Sequence, residues 1–422
     1  METIGAYLER KHRELRLIGA CLASHVPPPP RSVDEAIERK FRLAAALKAE
    51  HMAAQWSLTE TRWAETDARL GPYRMSWGYQ RADLAIRGPA PYPALSDGSA
   101  ETLYTTSGMA AISAFVMALG RVADGADVMV PPGCYRETLE VVEAYGRDVR
   151  IRRIGTGSPR RGGVKVLLID SYVERGLGPP GAGLVPAPDL VLFDTTCLAS
   201  TSGRIRRVLD WAAMCGLPLV LVRSHTKLDS LGVEYGRLGS AVLVAPGAAR
   251  PGLLCRLGEE MRNAVRLFGS AAIPAHLPPF AGSEAHAKLS AARVAGILRN
   301  TRFLARRLAR ACPTGLVKTF AHGLYLTLGP TLPWEPEEAQ AAAASLVGHI
   351  RARSLPVRHA GSFGFDFVAA EHFTDARTER NLVRLSLADL PAPVMERIAD
   401  EIPAWWAAFD RTAPARDRRS AA

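Results

Sequence analysis

The chain has 422 residues, 48% of them hydrophobic and 23% charged, with a formal net charge of +11. That length accommodates one large core and a smaller second one. No apolar run reaches the roughly 18 residues of a membrane span, and the amino terminus METIGAYLERKHRELRLIGA mixes both charge signs where a secretory signal needs an apolar stretch. The six cysteines are scattered, without a CxxC pair, which argues against a disulfide framework or a zinc site and predicts a reducing, cytoplasmic setting with no metal. The positive charge raises the question of a nucleic-acid partner. The arginine clusters at Arg302, Arg306, Arg307 and Arg310, and at Arg416, Arg418 and Arg419, belong to no such motif and are not interleaved with aromatics. Neither nucleic acid nor a membrane is expected as a partner.

Residues 1 to about 75 read as a helical arm or cap broken at Pro27–Pro30, since four prolines form a stiff extended link. Ser32 followed by Asp34 and Glu35 predicts a capped helix towards Met52, and a second helix is expected over Leu58–Leu70. A loop rich in Pro and Gly follows up to about Ser99. Ser107-Gly108-Met109 then opens a helical pattern over Ala110–Leu119, with Gly120 as the expected cap. A Ser-Gly turn at a helix start offers backbone N–H groups and the positive dipole end to an anion.

From there short apolar runs alternate with helices. Strands are expected at Val128–Val130, Val166–Ile169, Leu190–Phe193, Leu217–Val222 and Ala241–Ala245, with helices at Thr138–Ala144 and Arg207–Cys215. Continuous apolar runs of this kind imply a mainly parallel sheet covered on both faces, whose ligands bind at the carboxyl ends of the strands. This large domain is expected over residues 76–282. A long helix over Ser283–Arg310 leads into a smaller α+β domain, residues 283–410. Its strands are expected at Gly323–Leu328, Leu355–Arg358 and Val383–Leu387, its helices at Pro336–Arg353 and Pro393–Phe409. Residues 411–422 read as a disordered tail.

One stretch organises these pieces. The strand Leu217–Val222 empties into Arg223-Ser224-His225-Thr226-Lys227, in a chain where lysine occurs only at Lys11, Lys40, Lys48, Lys165, Lys227, Lys288 and Lys318. A lysine at the mouth of a buried strand, behind two hydroxyl residues, is a candidate Schiff-base lysine for pyridoxal 5′-phosphate. Burial favours the neutral amine that attacks an aldehyde. Alone, such a residue is more often a lysine snorkelling at a strand end. Ser224 and Thr226 offer hydroxyls to the cofactor's phosphate. Asp194, closing the preceding apolar strand, could hold the pyridine nitrogen protonated; Asp170 competes for that role.

Together these motifs resemble the Cys/Met-metabolism family of pyridoxal-phosphate enzymes, the cystathionine γ-synthase and γ-lyase group of fold type I. Ser107-Gly108-Met109-Ala110-Ala111-Ile112 is similar to that family's phosphate turn, and Tyr79-Gln80-Arg81 to its Tyr-x-Arg, which reaches the phosphate of a neighbouring subunit. Tyr135, within Cys134-Tyr135-Arg136-Glu137-Thr138, lies where a tyrosine stacks on the cofactor ring. Asp194-Thr195-Thr196 resembles Asp-Asn-Thr, Ser224-His225-Thr226-Lys227 resembles Ser-x-Thr-Lys, Ser362-Phe363-Gly364 resembles Ser-Leu-Gly, and Arg384-Leu385-Ser386 resembles the Arg-x-Ser that grips the substrate α-carboxylate. The matches keep the family's order over about residues 75 to 390.

The departures are equally specific. Leu228-Asp229-Ser230-Leu231-Gly232 replaces Tyr-x-x-Gly-His, Tyr-Arg-Glu-Thr replaces Tyr-Gly-Gly-Thr, and Leu84-Ala85-Ile86 replaces the Asn-Pro-Thr after Tyr-x-Arg. Asp170-Ser171-Tyr172 stands near where the family has a Glu-x-Pro-x-Asn setting, and the amino-terminal arm is longer than usual. The resemblance implies a seven-stranded, mainly parallel sheet and a homodimer or homotetramer with shared active sites. It also implies γ-elimination or γ-replacement on a γ-substituted amino acid through a vinylglycine-type intermediate. The unusual flanking residues point to a specialised substrate, in secondary metabolism. An aminotransferase or carbon–carbon bond-forming enzyme on the same scaffold, and a non-catalytic basic binding or regulatory module, are the alternatives.

Overall fold

The structure, a computed structural model, describes residues 2–22, 27–54, 66–77, 85–88, 91–95, 100–154, 163–170, 187–245, 247 and 252–412. The chain parts into two compact units, one of residues 1–12, 28–38 and 293–422, the other of residues 13–27 and 39–292. Helices α1 (Ile4–Gly19) and α2 (Val33–Ala54) flank the proline run and contribute to both. The Ser32 hydroxyl accepts the Glu35 N–H at 3.2 Å, as the cap predicts.

The expected helix over Leu58–Leu70 is corrected where it is described. Thr66–Leu70 is a strand, β1, paired antiparallel with β2 (Tyr73–Trp77), which pairs in turn with β3 (Ala85–Arg87). Gly71, at φ +54°, makes the turn that a helix could not contain. Leu70, Tyr73 and Met75 then bury against Tyr104, Leu238, Ala272 and Leu277, and this packing selects the hairpin.

The larger unit is built on β4 (Ala100–Thr105), β5 (Ala126–Val130), β6 (Val149–Arg153), β7 (Val164–Ile169), β8 (Leu190–Asp194), β9 (Leu219–Ser224) and β10 (Gly239–Val244). Their order in the sheet is β4-β10-β9-β8-β7-β5-β6. Neighbours from β9 through β6 are parallel, and β10 alone is antiparallel to both of its neighbours. This is the mainly parallel seven-stranded sheet expected from the sequence. The apolar runs are continuous because both faces are covered. Val128, Val130, Val166, Leu168, Leu192, Val220 and Val222 pack with α3 (Gly108–Val122), α4 (Arg136–Tyr145) and α6 (Gly252–Leu267). Met129, Leu167, Ile169, Val191, Phe193, Leu219 and Leu221 alternate with them and pack with α5 (Gly203–Met214). Helix α3 runs past Gly120 and caps at Ala123, and β9 runs two residues past Val222 because Arg223 and Ser224 pair with Ser240 and Gly239.

The second unit takes the carboxyl-terminal part of α7 (Glu284–Ala311). It adds β11 (Gly315–Thr319), β12 (Tyr325–Pro330), α8 (Pro336–Arg351), β13 (Val357–His359), β14 (Val368–Thr374), β15 (Asn381–Ser386) and α9 (Ala392–Thr412). The strands form a five-stranded sheet in the order β11-β12-β15-β14-β13, antiparallel except for β13 with β14. The last helix ends three residues beyond Phe409, and the tail from 413 onward lies outside the described residues.

The amino terminus is fastened into this unit by buried charge. Lys11 Nζ donates to Asp366 Oδ1 and to Asp389 Oδ2, each at 2.9 Å, and Arg293 Nη2 donates to Asp366 Oδ1 at 2.7 Å; all four side chains have no exposed surface. Arg10 bridges Asp389 and Glu2. Burial works to raise the Asp389 carboxyl, but Lys11, Arg293 and Arg10 outweigh it and hold the group well below the usual carboxylate range. A carboxylate with a depressed folded-state pKa stabilises fully above its unfolded value of about 3.9, and that contribution drains away as pH falls below it. Replacing Lys11 by Met takes one cation away from two buried carboxylates, which keep only Arg293 and Arg10, and should cost about 3–5 kcal/mol in urea denaturation. Asp389→Asn should flatten the fall in stability below pH 4, measured by the same titration at a series of pH values.

Candidate active site

Because β10 runs opposite to both neighbours, β4, β9, β8, β7 and β5 all point the same way, and their carboxyl ends open at one edge of the large sheet. That edge gathers residues distant in the chain: Ser107–Met109 after β4, Tyr135 after β5, Asp170 after β7, Asp194 at the end of β8, and Ser224–Lys227 from β9 into its turn.

Ser107 caps α3, its hydroxyl accepting the Ala110 N–H at 3.0 Å, so the N–H groups of the first turn face outward at the positive end of the helix. The turn lies tight against β9 and β10. A Cβ on Gly108 would sit 2.9 Å from the Ser224 amide nitrogen, and one on Gly239 would sit 2.1 Å from the Ser107 carbonyl carbon. Only glycine admits this approach. Ser224 and Thr226 join their hydroxyls at 2.9 Å beside it. The result is a cradle of amide and hydroxyl donors of the kind that holds a phosphate.

Beneath the cradle lies a network that sequence reasoning missed. Arg223 is fully buried. It grips Asp229 with two hydrogen bonds, of 2.6 and 2.7 Å, and donates to the carbonyls of Thr195 and Leu198 at 2.9 and 2.7 Å. His225 bridges Asp229 and Ser240, each at 2.8 Å. Burial would raise the Asp229 carboxyl, but Arg223 and His225 hold it well below the usual carboxylate range. The turn carrying Thr226 and Lys227 is therefore closed by a charged clamp between its two flanks. The only local signal was an arginine inside an apolar strand, six residues ahead of an aspartate.

Asp194 accepts the Thr196 N–H at 2.8 Å, and Thr196 Oγ1 in turn accepts the Ser224 N–H at 3.1 Å, tying the ends of β8 and β9 together. Burial pushes the Asp194 carboxyl up; Thr196 and Arg223 pull it down without cancelling the shift. A cationic ring nitrogen would supply the missing counter-charge, since the Arg223 guanidinium is spent on Asp229. Asp170, buried, instead accepts the Tyr135 backbone N–H at 2.6 Å and so fixes the start of α4. The two aspartates thus have different neighbours at the sheet edge. Tyr135, 39% exposed, stands at that helix start. Cys134 beside it has its thiol pushed well up by burial and by Asp170 and Asp194, and is a packing residue.

Lys227 lies beyond the strand, in the turn. Its side chain is 27% exposed with Glu234 Oε1 at 3.8 Å, so it is not enclosed by apolar strands as the sequence reading expected. The segment after it buries Leu231, Val233 and Tyr235 against Ile18 of α1, Ala44 and Leu47 of α2, Phe280 and Leu289. The amino-terminal arm thus packs on the stretch where the chain departs from the family pattern.

Two predicted site residues belong to the other unit. Ser362 is buried in the loop before β14. Arg384, on β15, is not a surface arginine. It pairs with Glu371 on β14, and its guanidinium carbon lies 5.0 Å from the Tyr325 ring centre and 5.5 Å from that of Phe373. Tyr79, Gln80 and Arg81 lie outside the described residues, as do Ser171 and Tyr172. Among the described residues, no helix is long and apolar enough to cross a membrane, and no group of three His, Cys, Asp or Glu side chains is placed to hold a metal ion.

No protein-family model and no curated protein matches the chain. Solved structures similar to it include metB from Corynebacterium glutamicum, at 14% identity over 73% of this chain and 81% of that one, with a TM-score of 0.49. A cystathionine gamma synthase from Xanthomonas oryzae pv. oryzae matches at 16% identity over 74% and 82% of the two chains, TM-score 0.46. An alanine aminotransferase from Pyrococcus furiosus matches at 10% identity over 86% and 88%, TM-score 0.48. At such identities and scores the likeness decides nothing about activity, which has to be argued from the residues.

Gly239→Ala should push the Ser107–Gly108 turn off the sheet and cost roughly 1–3 kcal/mol, as overpacking does. Gly247→Ala, whose Cβ would meet nothing within 4 Å, should stay within about 0.5 kcal/mol. Urea denaturation of both variants checks the contrast.

Proposed function

We propose that this chain is a pyridoxal-phosphate enzyme of the lyase or transferase type, acting on a γ-substituted amino acid by γ-elimination or γ-replacement. The observation that carries the reading is the gathering at one sheet edge of a lysine turn, a donor-lined helix start, a carboxyl raised by burial and an accessible tyrosine. The resemblance of the motifs supports the narrower choice of reaction.

In this reading Ser107, Gly108, Met109, Ser224 and Thr226 hold the phosphate, with Tyr79 and Arg81 contributed by a second copy of the chain. Asp194 would keep the proton on the pyridine nitrogen, Tyr135 would lie beside the ring, and Lys227 would hold the group through its amine. When bound, pyridoxal phosphate supplies an electron sink that stabilises negative charge on the substrate. Displaced from the group by the substrate's amine, Lys227 Nζ would be free to take the proton from the substrate Cα. The Tyr135 hydroxyl serves proton transfer at Cγ or the leaving group. Arg384 and Ser362 bind the substrate carboxylate, for which a guanidinium provides charge-assisted hydrogen bonds of about 1.5–3 kcal/mol each. The protein acts in the cytoplasm as a homo-oligomer with shared sites, and its divergent flanking residues fit a specialised substrate.

Purified protein reconstituted with pyridoxal phosphate should absorb in the visible range, and Lys227→Ala should lose that band. A colourless wild-type protein after reconstitution overturns the reading. Tyr135→Phe should keep the band and lower kcat by roughly 10²–10⁴-fold if its hydroxyl moves a proton. Steady-state kinetics with a panel of γ-substituted amino acids, read by mass spectrometry, measures this and identifies the substrate.

A further inference from the structure

The guanidinium of Arg384 already holds a carboxylate. Glu371 stands directly opposite it in the β14–β15 register, and the two side chains form an ion pair through Arg384 Nη2 and Glu371 Oε1, with 13% and 18% of their surfaces exposed. The arginine also rests against two aromatic rings. The rings of Tyr325 and Phe373 lie 5.0 and 5.5 Å from its guanidinium carbon, and both residues share its face of the sheet. Its Nε is buried and makes no hydrogen bond among the described residues. The hydroxyls of Thr327, opposite Arg384 on β12, and of Ser386, two residues along β15, are likewise buried without a hydrogen bond. The other oxygen of Glu371 abuts Gly361, where a Cβ would come within 2.9 Å of it, next to Ser362.

We propose that Glu371 is a resident counter-carboxylate, so that a ligand carboxylate reaches Arg384 only by exchanging with it. Glu371 is then a specificity-determining residue; the inference rests on the reading of Arg384 as the anchor for the substrate carboxylate. The physical reason is charge balance. One guanidinium neutralised by an internal carboxylate attracts a second weakly, and two carboxylates on one cation repel each other. Exchange is open to Glu371 because its side chain retains a route to solvent, whereas the arginine lies with its guanidinium against two neighbouring rings, whose centres are 6.2 Å apart. The Nε edge and the two buried hydroxyls offer donors to an incoming carboxylate that a neutral ligand uses poorly. Carboxylate ligands are therefore held more weakly by the wild-type protein than its arginine alone would allow, and uncharged ligands of the same length are unaffected.

Isothermal calorimetry with hexanoate and hexan-1-ol, on protein reconstituted with pyridoxal phosphate, tests this without requiring turnover. Glu371→Gln keeps the shape and removes the charge; it should tighten hexanoate binding at least tenfold and leave hexan-1-ol unchanged. Glu371→Asp, whose shorter reach loosens the pair, should give a smaller gain in the same direction and guards against a single misfolded variant. Adding Arg384→Gln to Glu371→Gln should abolish the gain. Unchanged or weaker hexanoate binding in Glu371→Gln, or equal changes for both ligands, overturns the proposal. The visible band of the same samples reports on the cofactor separately. A missing band with a tightened hexanoate affinity defeats the cofactor reading and leaves the exchange standing, and a normal band with unchanged affinity does the reverse.

Discussion

The buried ion pair between Arg223 and Asp229 is the constraint on which the candidate site depends. A guanidinium with no exposed surface must satisfy its donors internally, because an unpaired buried charge costs several kcal/mol. Arg223 does so by reaching forward to Asp229 and sideways to the carbonyls of Thr195 and Leu198. Those bonds fix the turn after β9 relative to the end of β8. Ser224, Thr226 and Lys227 ride on that turn, and Asp194 on that strand end. The clamp therefore sets the spacing between the turn of amide and hydroxyl donors and the carboxyl of Asp194, although neither of its members faces a ligand in the proposed mechanism.

A second constraint comes from the amino-terminal arm. Leu231, at φ +55°, and Gly232, at φ +87°, bend the chain after Lys227 into a shape that needs outside support. Leu231, Val233 and Tyr235 find that support in Ile18, Ala44 and Leu47, with the buried pair of Lys40 and Glu14 joining α1 to α2. Where the motif after the lysine is changed, an added layer of helix covers the change. Two of the departures from the pattern that the motifs resemble, the altered segment and the long arm, thus become one packing solution.

The few lysines of this chain fall in two kinds of place. Lys227 stands in its turn, but Lys11 and Lys40 are the fully buried lysines, each sealed against carboxylates far away in sequence. At Lys11 and Lys40 a compact, single-point cation meets its carboxylates in a space without exposed surface. Sequence could not separate these uses because Asp366 and Asp389 lie more than 350 residues from Lys11.

The large sheet, its parallel bias and the strand ends that carry Asp170, Asp194 and Ser224 were legible in sequence. A strand covered on both faces must be apolar throughout, and that leaves a local trace. The hairpin at residues 66–77 was not, because a short run with mixed polarity takes its conformation from what covers it. The same division holds in the site. Ser107-Gly108, Lys227 and Arg384 announce themselves by type and neighbours, whereas the roles of their partners come from distance. Asp170 fastens Tyr135, Asp229 holds Arg223 and Glu371 holds Arg384 only because strand order and register bring them together. Sequence by itself determined which side chains stand at the ends of the strands. Tertiary structure decided which charges are already answered, since pairing across strands is a long-range property that no local pattern encodes.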